Sequence, residues 1–452
     1  MPETITIRKG LDLPIGGAAE KLLTDARSIT TYAVKPTDFV GITPQLLVEE
    51  GDAVTVGDAL FCDKNNERIR FTSPVSGQVK AIVRGEKRRL LEVVVETDFK
   101  SAPTQEIPKT AEEIKAAMLQ CGLWASLRQR PFGTVANPDD KPKAIFVSAF
   151  SSAPLAPDYD FVMQGKEEML KKGLEALTNL TDGKVHVCFK PNQQLAKQFS
   201  IVNSQLSIHH ISGPHPSGNI GTQIAHIDPI NKGEVVWTMN LQDVAVLGEL
   251  VTTGIYNPEK VIAVAGPNIK NPHYYRVKAG ACLEEITKTQ LLNEDNTKTN
   301  RIISGDILSG TQIAADGFLG AYDDLVSIIP EGDYYDFMGW LMPGFKKFSF
   351  SRTFLSGFLP RMLKWKFDTN THGDERPSVF TGNFERVFPF DIYPTQLIKA
   401  CIIGDIELME NLGIYEVEPE DFALCEFIDT SKTDIQAIIR EALEKLRKEA
   451  MS

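Results

Sequence analysis

Residues 51–80 read GDAVTVGDALFCDKNNERIRFTSPVSGQVK, and turn-forming residues divide this stretch into short strands around one hairpin. Gly51, Gly57 and Gly77 can take the positive φ values that tight corners require. The apolar residues that would form a small β core are Val54, Val56, Leu60, Ile69, Phe71, Val75, Val79 and Ile82. The stretch therefore predicts a compact β module within the first hundred residues.

This pattern resembles the lipoyl or biotinyl carrier family, in which a lysine at the hairpin tip bears a swinging cofactor. The tip here is Cys62-Asp63-Lys64-Asn65-Asn66, so Lys64 is the candidate for modification. Pro74 stands ten positions after Lys64, a longer spacing than the carrier pattern has. Asp-Lys-Asn-Asn is also ordinary turn composition, and a solvated surface lysine is the alternative interpretation.

Composition limits the classes of function. The 452 residues are 42% apolar and 24% charged, which is typical of a globular protein of about three domains. A net charge of -12 argues against nucleic acid as a partner, because phosphate backbones are bound by an excess of Lys and Arg. No apolar run approaches the ~18 residues that a membrane span needs, and the N-terminus has no apolar signal core.

The six cysteines are too far apart for a recognisable metal site. They stand at positions 62, 121, 188, 282, 401 and 425, and no Cys-x-x-Cys occurs. Neither a zinc site nor an iron–sulfur cluster can be read from this spacing. We therefore expect a cytoplasmic protein with reduced thiols.

A parallel α/β layer is expected after the β module. Thr110 and Glu113 form a capping box that begins a helix, and Gly122 ends it. Strands and helices then alternate, with strands predicted at 143–150, 184–189, 207–211, 234–239 and 261–265 and helices at 165–180 and 192–199. This alternation is typical of a Rossmann-like layer. Residues 277–330 indicate a compact β-grasp-like insert, and residues 384–452, with apolar residues at helical spacing, predict a helical domain.

Residues 337–367 reverse the charge of the chain locally. This aromatic-basic segment has nine Phe or Trp and six Lys or Arg, with no Asp or Glu. Such a composition favours docking at a membrane headgroup layer or on a membrane-embedded partner. The alternative is a segment that crosses the core and buries its Phe residues. The candidate interface residues are Trp340, Lys346, Lys347, Phe348, Arg352, Arg361 and Trp365.

Three histidines lie close together in HHISGPHPSGNIGT, which covers residues 209–222. His209, His210 and His215 could bind a metal, but no cysteine or carboxylate stands at ligand spacing, so loop histidines are the better interpretation. The glycines of this stretch lack the Gly-Lys-Ser/Thr ending of a phosphate loop, and a structural turn is expected. We predict no metal site and no catalytic residue.

Several segments in order carry a resemblance that covers the chain end to end. They are MPETITIRKGLDLPIGG, the carrier-like module, GPHPSGNIGTQIAHIDPIN, VWTMNLQDVAVLGELVTTG, RIISGDILSGT and ERVFPFDIYPTQLIKACIIGD. The chain resembles the NqrA family, the A subunits of the Na+-translocating NADH:quinone reductases. That family is in turn similar to the C subunit of the Rnf complex and to the flavin subunit of respiratory complex I.

In the flavin subunit of complex I, a glycine-rich loop cradles FMN. The corresponding stretch here is GLWASLRQRPF, residues 122–132. Gly122 is retained, but Ala125, Leu127 and Arg130 put side chains where backbone N–H groups would approach a phosphate. In the related Rnf protein the C-terminal helical region carries clustered cysteines, whereas here two separate thiols remain, and small buried residues are the better interpretation for both.

The resemblance implies four domains and one connecting segment. They are a lipoyl/biotinyl-like β module with an N-terminal extension (1–100), a Rossmann-like α/β domain without a functional flavin loop (101–270), a β-grasp domain of the SLBB type (271–335), the aromatic-basic connecting segment (336–383) and a helical domain without iron–sulfur ligands (384–452).

It also implies a peripheral subunit on the cytoplasmic face of the bacterial inner membrane, in a complex of six subunits that couples quinone reduction to Na+ export. The complex uses FAD, FMN, riboflavin, Fe–S, quinone and Na+, while this chain is expected to bind no cofactor. Its expected role is structural, with a candidate quinone-site role beside the membrane subunits. Two alternatives stay open: a dehydrogenase subunit that binds NADH or flavin, and a lipoyl- or biotin-type carrier.

Overall fold

A computed structural model describes residues 4–26, 28–199, 204–292, 300–335, 338, 342–345, 347–351, 354–358, 363–377, 379 and 382–450. The N-terminal strands are β1 (Thr4–Thr6) and β2 (Glu20–Asp25), and each lies in a sheet whose other strands come from much later in the sequence. Strand β1 pairs in parallel with residues 210–212, and β2 pairs in parallel with residues 273–276. The N-terminal extension therefore ties two later domains together before the β module begins.

The opening stretch forms four strands, as its turns and hairpin predict: β5 (Ala53–Val54), β6 (Ala59–Asp63), β7 (Asn66–Thr72) and β8 (Gly77–Arg84). Three strands outside that stretch complete the module: β3 (Thr31–Val34), β4 (Pro44–Leu46) and β9 (Leu90–Thr97). Together they form two sheets, of order β3-β9-β8-β5 and β4-β6-β7. Seven of the eight predicted core residues are buried and Ile82 is partly buried, with Phe61 stacked on Phe71 at 4.7 Å between ring centroids.

The α/β domain begins with α1 (Ala111–Cys121), which has the predicted capping box and ends at Gly122 with φ 82°. The elements that follow are β10 (Arg128–Arg130), β11 (Thr134–Val135), β12 (Ala144–Ser148), α2 (Tyr159–Val162), α3 (Glu167–Thr178), β13 (Lys184–Phe189), β14 (Leu206–Ser212), α4 (Ile220–Ile227), β15 (Val236–Thr238) and α5 (Leu241–Thr253). The sheet order is β1-β14-β13-β12-β15-β10-β11, and β12 to β15 run parallel.

One helix predicted in this domain is wrong. Residues 192–199 contain only a 3-10 turn at Leu195–Gln198. The Asp160 carboxylate accepts hydrogen bonds from the backbone N–H groups of Gln194 and Leu195, at 3.0 and 2.8 Å. A tertiary contact thus fixes a segment that is too short to form a stable helix by its own propensity.

The predicted strand at 261–265 exists but belongs to a different sheet. The next elements are β16 (Glu259–Ala265), β17 (His273–Lys278), α6 (Glu284–Gln290), β18 (Asn300–Ser304), β19 (Thr311–Ile313) and β20 (Leu325–Pro330). Their sheet has the order β19-β18-β20-β16-β17-β2. Strand β16 pairs antiparallel with β17, which follows it directly, and parallel with β20. The hydrophobic pattern of β16 predicts a buried strand but does not decide which sheet buries it.

The C-terminal segment is helical, as predicted. Its helices are α7 (Phe384–Val387), α8 (Pro394–Ile403), α9 (Ile406–Asn411), α10 (Ala423–Ile428) and α11 (Ile435–Ala450). They surround a hydrophobic core that is separate from the main core of the upstream domains. Helix α11 also donates side-chain hydrogen bonds to backbone carbonyls upstream, from Arg440 to Phe132 at 2.9 Å and from Arg447 to Gly41 at 3.3 Å. The helical domain is therefore fastened to the rest of the chain through polar contacts.

Candidate functional site

The side chains of the loop after α1 are mostly buried. Gly122 closes against β7, and a Cβ placed on it would lie 2.3 Å from Thr72 Oγ1. Ala125 and Leu127 are both buried, and the Leu127 side chain has no exposed surface. The backbone N–H groups of Ala125 and Leu127 donate to the Gly122 and Trp124 carbonyls, at 3.2 and 3.0 Å, and so are already bonded within the loop where the resemblance places a glycine-rich phosphate cradle.

Arg130 is buried and directed at the C-terminal helical domain. Its Nη1 donates to Asp421 Oδ2 at 3.1 Å, its Nη2 donates to Glu420, and its Nε lies 3.8 Å from Glu418 Oε1. Arg128 Nη2 adds a 3.1 Å contact to Glu418 Oε2. With Arg440, which lies 3.8 Å from the same carboxylate, three guanidinium groups face three carboxylates at this junction. We call these six residues the latch cluster.

The electrostatics of the latch cluster follow from its burial. Burial by itself would lower the pKa of Arg130, but the carboxylates of Glu418, Asp421 and Glu420 outweigh it and the pKa is raised. Burial raises the pKa of Asp421 to about 7, although Arg130 opposes that shift. Asp421 Oδ1 is buried without a hydrogen-bond partner among the described residues. The cluster thus holds Arg130 charged at the cost of one poorly solvated carboxyl group.

Asp421 lies against the first turn of α4. A Cβ on Gly221 would lie 2.5 Å from Asp421 Oδ1 and 2.6 Å from Arg130 Nη1. The N-cap residue of α4, Asn219, provides no side-chain cap. The N-terminus of a helix favours a negative group, and here the helical domain supplies that group from within the chain.

A polar crevice of about 180 Å3 lies beside this cluster, at the carboxyl ends of β12 and β15. The order of the parallel strands reverses at β12, because β13 and β14 lie on one side of it and β15 lies on the other. Open α/β sheets bind their ligands at such switch points. Arg128, His215, Asp306 and Glu420 line the crevice, so groups of both charges face it and Glu420 reaches it from the helical domain.

The interpretation of the three histidines as loop residues holds for His215 but is wrong for His209 and His210, which lie in strand β14. His209 pairs with His186, with 2.9 Å between their ring nitrogens, and His215 Nδ1 lies 3.1 Å from Ser152 Oγ. His210 Nδ1 is buried without a hydrogen-bond partner among the described residues. Within the described part of the chain, no group of three or more His, Cys, Asp or Glu side chains could hold a metal ion.

Lys64 lies at the tip of the β6–β7 hairpin and its side chain is exposed. Its backbone N–H donates to the Thr43 carbonyl at 2.8 Å, and Asp63 Oδ1 accepts from the N–H groups of Thr43 and Asn65. These contacts fold the tip back onto the start of β4. The hairpin is therefore braced by its own turn residues.

The aromatic-basic segment is partly described. Trp340, Lys346, Arg352 and Arg361 lie outside the described residues. The Phe348 ring lies 5.4 Å from the Phe367 ring of the same segment and 6.1 Å from the Phe427 ring of the helical domain, measured between centroids. Lys347 Nζ lies 5.8 Å from the Phe354 ring centroid, and Trp365 forms a parallel bridge with Ile15. Part of this segment is therefore packed onto the protein.

Other side chains of the same segment point away from the protein. Phe358 is 81% exposed, Phe345 is 60% exposed and Met342 is 58% exposed. Lys364 and Lys366 are exposed beside them in the sequence. Large apolar side chains at the surface can mark interaction sites. We call these five residues the docking surface.

Sequence reasoning missed the carboxylates that complete the latch cluster. Glu418, Glu420 and Asp421 stand in the stretch EPED, and their partners stand in the stretch RQR, residues 128–130. The complementary charge of these two short runs was the available signal. It was weak, because most charged runs are solvated surface.

No helix among the described residues is both long enough and apolar enough to cross a membrane.

Comparison with protein families matches three parts of the chain. Residues 5–98 match the NqrA N-terminal barrel-sandwich hybrid domain, residues 109–256 match the NqrA second alpha/beta domain, and residues 261–315 match the NQRA C-terminal domain, a model of the SLBB type. The strands of the β module fall within the first range, and the parallel strands β12 to β15 fall within the second.

Curated relatives match over nearly the whole chain. The A subunit of the Na(+)-translocating NADH-quinone reductase of Yersinia pestis is 40% identical over 453 residues, covering 98% of this chain and 100% of that protein. The proteins of the same name from Serratia proteamaculans and from Neisseria meningitidis serogroup B are each 39% identical, with the same coverage.

Among solved structures, the NAD+-reducing [NiFe]-hydrogenase in its H2-reduced state is similar over 48% of this chain and 47% of that chain, with 15% identity and a TM-score of 0.33. A likeness of this size carries no argument about function.

Proposed function

The chain belongs to the NqrA family, the A subunits of the Na+-translocating NADH-quinone reductases, and we propose that it is a peripheral subunit on the cytoplasmic face of the bacterial inner membrane. The complex oxidises NADH, reduces quinone and exports Na+. In this proposal the chain supplies structure and a docking surface, and other subunits hold the redox groups.

The observation that carries the structural role is the way in which distant segments are fastened together. The latch cluster joins the α/β domain to the helical domain, and β1 and β2 join the N-terminus to two other sheets. Helix α11 reaches the β module through Arg447. Such long-range ties favour one rigid body that can present a fixed surface to neighbouring subunits.

We propose that this chain holds none of the redox groups of the complex. The loop supports this, because a flavin phosphate needs open backbone N–H groups and those of Ala125 and Leu127 already donate to carbonyls of the loop. Iron–sulfur clusters need thiolates, and burial raises the pKa of Cys401 to about 12 and that of Cys425 well above its usual range. Purified protein should therefore be colourless, and a flavin absorption band would contradict the proposal.

The docking surface is the proposed contact with the membrane-embedded subunits. Exposed rings can bury at such an interface while Lys364 and Lys366 meet anionic groups. A quinone headgroup near this contact would find Trp365, which is half-buried, whereas the Phe348 ring is already engaged by Phe367 and Phe427. A quinone contact at this surface is a separate proposal from docking.

The test is co-purification of the assembled complex with variants of the docking surface. Phe345→Ser together with Phe358→Ser should lower the recovery of this chain with the membrane subunits. Lys364→Glu together with Lys366→Glu should also lower it, and should reduce the salt sensitivity of the association. Phe99→Ser is a matched control, because Phe99 is 65% exposed on another part of the surface. Wild-type recovery of both double variants at every salt concentration would refute the docking assignment.

A further inference from the structure

A second cavity, of about 90 Å3, lies where three domains meet. Phe39 and Phe71 line it from the β module, Leu123 and Asp243 from the α/β domain, and Tyr322 from the β-grasp-like domain. A water molecule needs roughly 10–15 Å3. The cavity therefore has room for several waters, or for one small ring in their place.

Asp243 is the unusual residue in this cavity. It lies in the first turn of α5, and only 7% of its surface is exposed. Its Oδ2 is buried and has no hydrogen-bond partner among the described residues. A buried carboxyl oxygen without a partner is costly, so a donor from outside the chain would be stabilising here.

The neighbouring polar groups of the cavity are already paired within the chain. Tyr322 Oη donates to the Ala125 carbonyl at 2.8 Å, and Thr72 Oγ1 donates to the Cys121 carbonyl at 2.7 Å. Lys260 Nζ donates to the Ala321 carbonyl. Asp38, the other carboxylate of the cavity, accepts from the Ala321 N–H at 2.8 Å and lies 3.5 Å from Lys35 Nζ, whereas Asp243 Oδ2 has no hydrogen-bond partner among the described residues.

Aromatic and aliphatic side chains line part of the cavity, and the aromatic rings pack against one another. The Phe39 ring lies 4.3 Å from the Phe71 ring and 5.7 Å from the Tyr322 ring, measured between centroids. Leu123 and Val246 add aliphatic surface. Small-molecule sites are mostly apolar, with a few polar groups that fix the orientation of the ligand, and rings stack favourably on such aromatic walls.

We propose that this cavity binds a flat nitrogen heteroaromatic ring, with an N–H or NH2 group of the ring donating to Asp243 Oδ2. The ligand would touch all three domains, so its binding would stabilise their junction. Burial raises the pKa of Asp243, and Lys260 opposes that shift. A carboxyl oxygen can accept a hydrogen bond in either protonation state.

This inference goes beyond the proposed subunit role and does not depend on it. The cavity is built entirely from this chain, so the purified full-length protein is sufficient for the test. Failure of the cavity proposal would leave the docking surface unaffected, and failure of docking would leave the cavity unaffected.

The test compares rings that differ in their donor. Nicotinamide and adenine carry an amide or amino donor, whereas toluene is a ring without one, and ligand-observed NMR on the full-length protein measures the binding of each. We expect a donor-bearing ring to bind at least tenfold more tightly than toluene. Asp243→Leu should abolish that preference. Asp243→Asn, which keeps the shape of the side chain, should reduce it, and this second variant provides the test if the leucine variant does not fold.

Glu249→Gln is the matched control, because Glu249 is an acidic residue on the same helix that does not line the cavity. It should leave the binding of every ring unchanged. Equal binding of toluene and the donor-bearing rings, unaffected by Asp243→Asn, would reduce the cavity to an apolar void and overturn the proposal. Binding of no ring at all would show a water-filled cavity and would overturn it equally.

Discussion

Arg130 Nη1 donates to Asp421 Oδ2 at 3.1 Å, although 291 residues separate the two in sequence. Arg130 is 2% exposed and Asp421 is 3% exposed, so water does not compensate either charge. The family resemblance marks Arg130 as a residue that intrudes into a flavin loop. The structure gives it a second role, since its guanidinium fastens the helical domain to the α/β domain.

Arg130→Met should destabilise the protein strongly. The change leaves Glu418, Glu420 and Asp421 close together without their main counter-charge, and breaking a buried pair in this way costs about 3–5 kcal/mol. Urea unfolding of the full-length chain measures the loss. Limited proteolysis should also release a fragment from the C-terminal helical domain earlier than in the wild type.

Arg276→Met is the control for this prediction. Arg276 pairs with Asp25 at 2.9 Å and lies 3.5 Å from Glu259, but these three side chains are 39%, 36% and 28% exposed. A solvated pair contributes about 1 kcal/mol or less. Equal losses in the two variants would show that burial of the latch cluster has no special effect.

Gly122→Ala should destabilise the protein more than Gly165→Ala does. Both glycines have positive φ, 82° and 81°, so both substitutions carry similar backbone strain. An added Cβ would lie 2.3 Å from Thr72 Oγ1 at Gly122 but would meet nothing within 4 Å at Gly165. The extra overpacking cost should be about 1–3 kcal/mol. The midpoints of thermal or urea unfolding give the comparison, and equal midpoints would contradict it.

His186 should make the protein less stable as the pH falls. Burial lowers its pKa from 6.5 to about 4, and the His209 ring contributes in the same direction. Between these two pH values the unfolded chain takes up a proton that the folded chain refuses, so stability is present above about 6.5 and is lost towards about 4.

The measurement is the unfolding midpoint as a function of pH for wild type and His186→Gln. The variant should show a shallower decline across that window, whatever its absolute stability. His226→Gln, at an exposed position, should keep the slope of the wild type. A wild-type slope in His186→Gln would refute the assignment.

Lys64 should be dispensable and unmodified. Its exposed side chain stands on a hairpin tip that Asp63 and Thr43 hold through backbone contacts. Lys64→Arg should therefore leave the stability and the assembly of the complex at wild-type levels. A mass increment of lipoyl or biotinyl size on a peptide that contains Lys64 would instead support the carrier interpretation.

Local patterns predicted the elements that depend on local chemistry. The turns of residues 51–80, the capping box at Thr110 and Glu113 and the helical spacing behind Ile435 all led to elements close to those observed. These signals succeed because a turn, a cap or an amphipathic face is encoded within a few neighbouring residues.

Patterns failed where distant residues decide the outcome. The turn at Leu195–Gln198 depends on Asp160, and β16 joins the sheet of β17 and β20 and not the parallel sheet before it. A hydrophobic strand pattern reports burial but carries no information about its neighbours in a sheet.

The sequence by itself determined the β module with its hairpin, the helical C-terminal segment, and the membership of a family of membrane-complex subunits. Only the tertiary structure decided that Arg130 pairs with Asp421, that β1 and β2 complete other sheets, and that Asp243 faces a cavity between three domains. The physical reason is the range of the interactions. Buried ion pairs, strand pairing and cavities arise between residues that are hundreds of positions apart, and each of those residues has an ordinary local context.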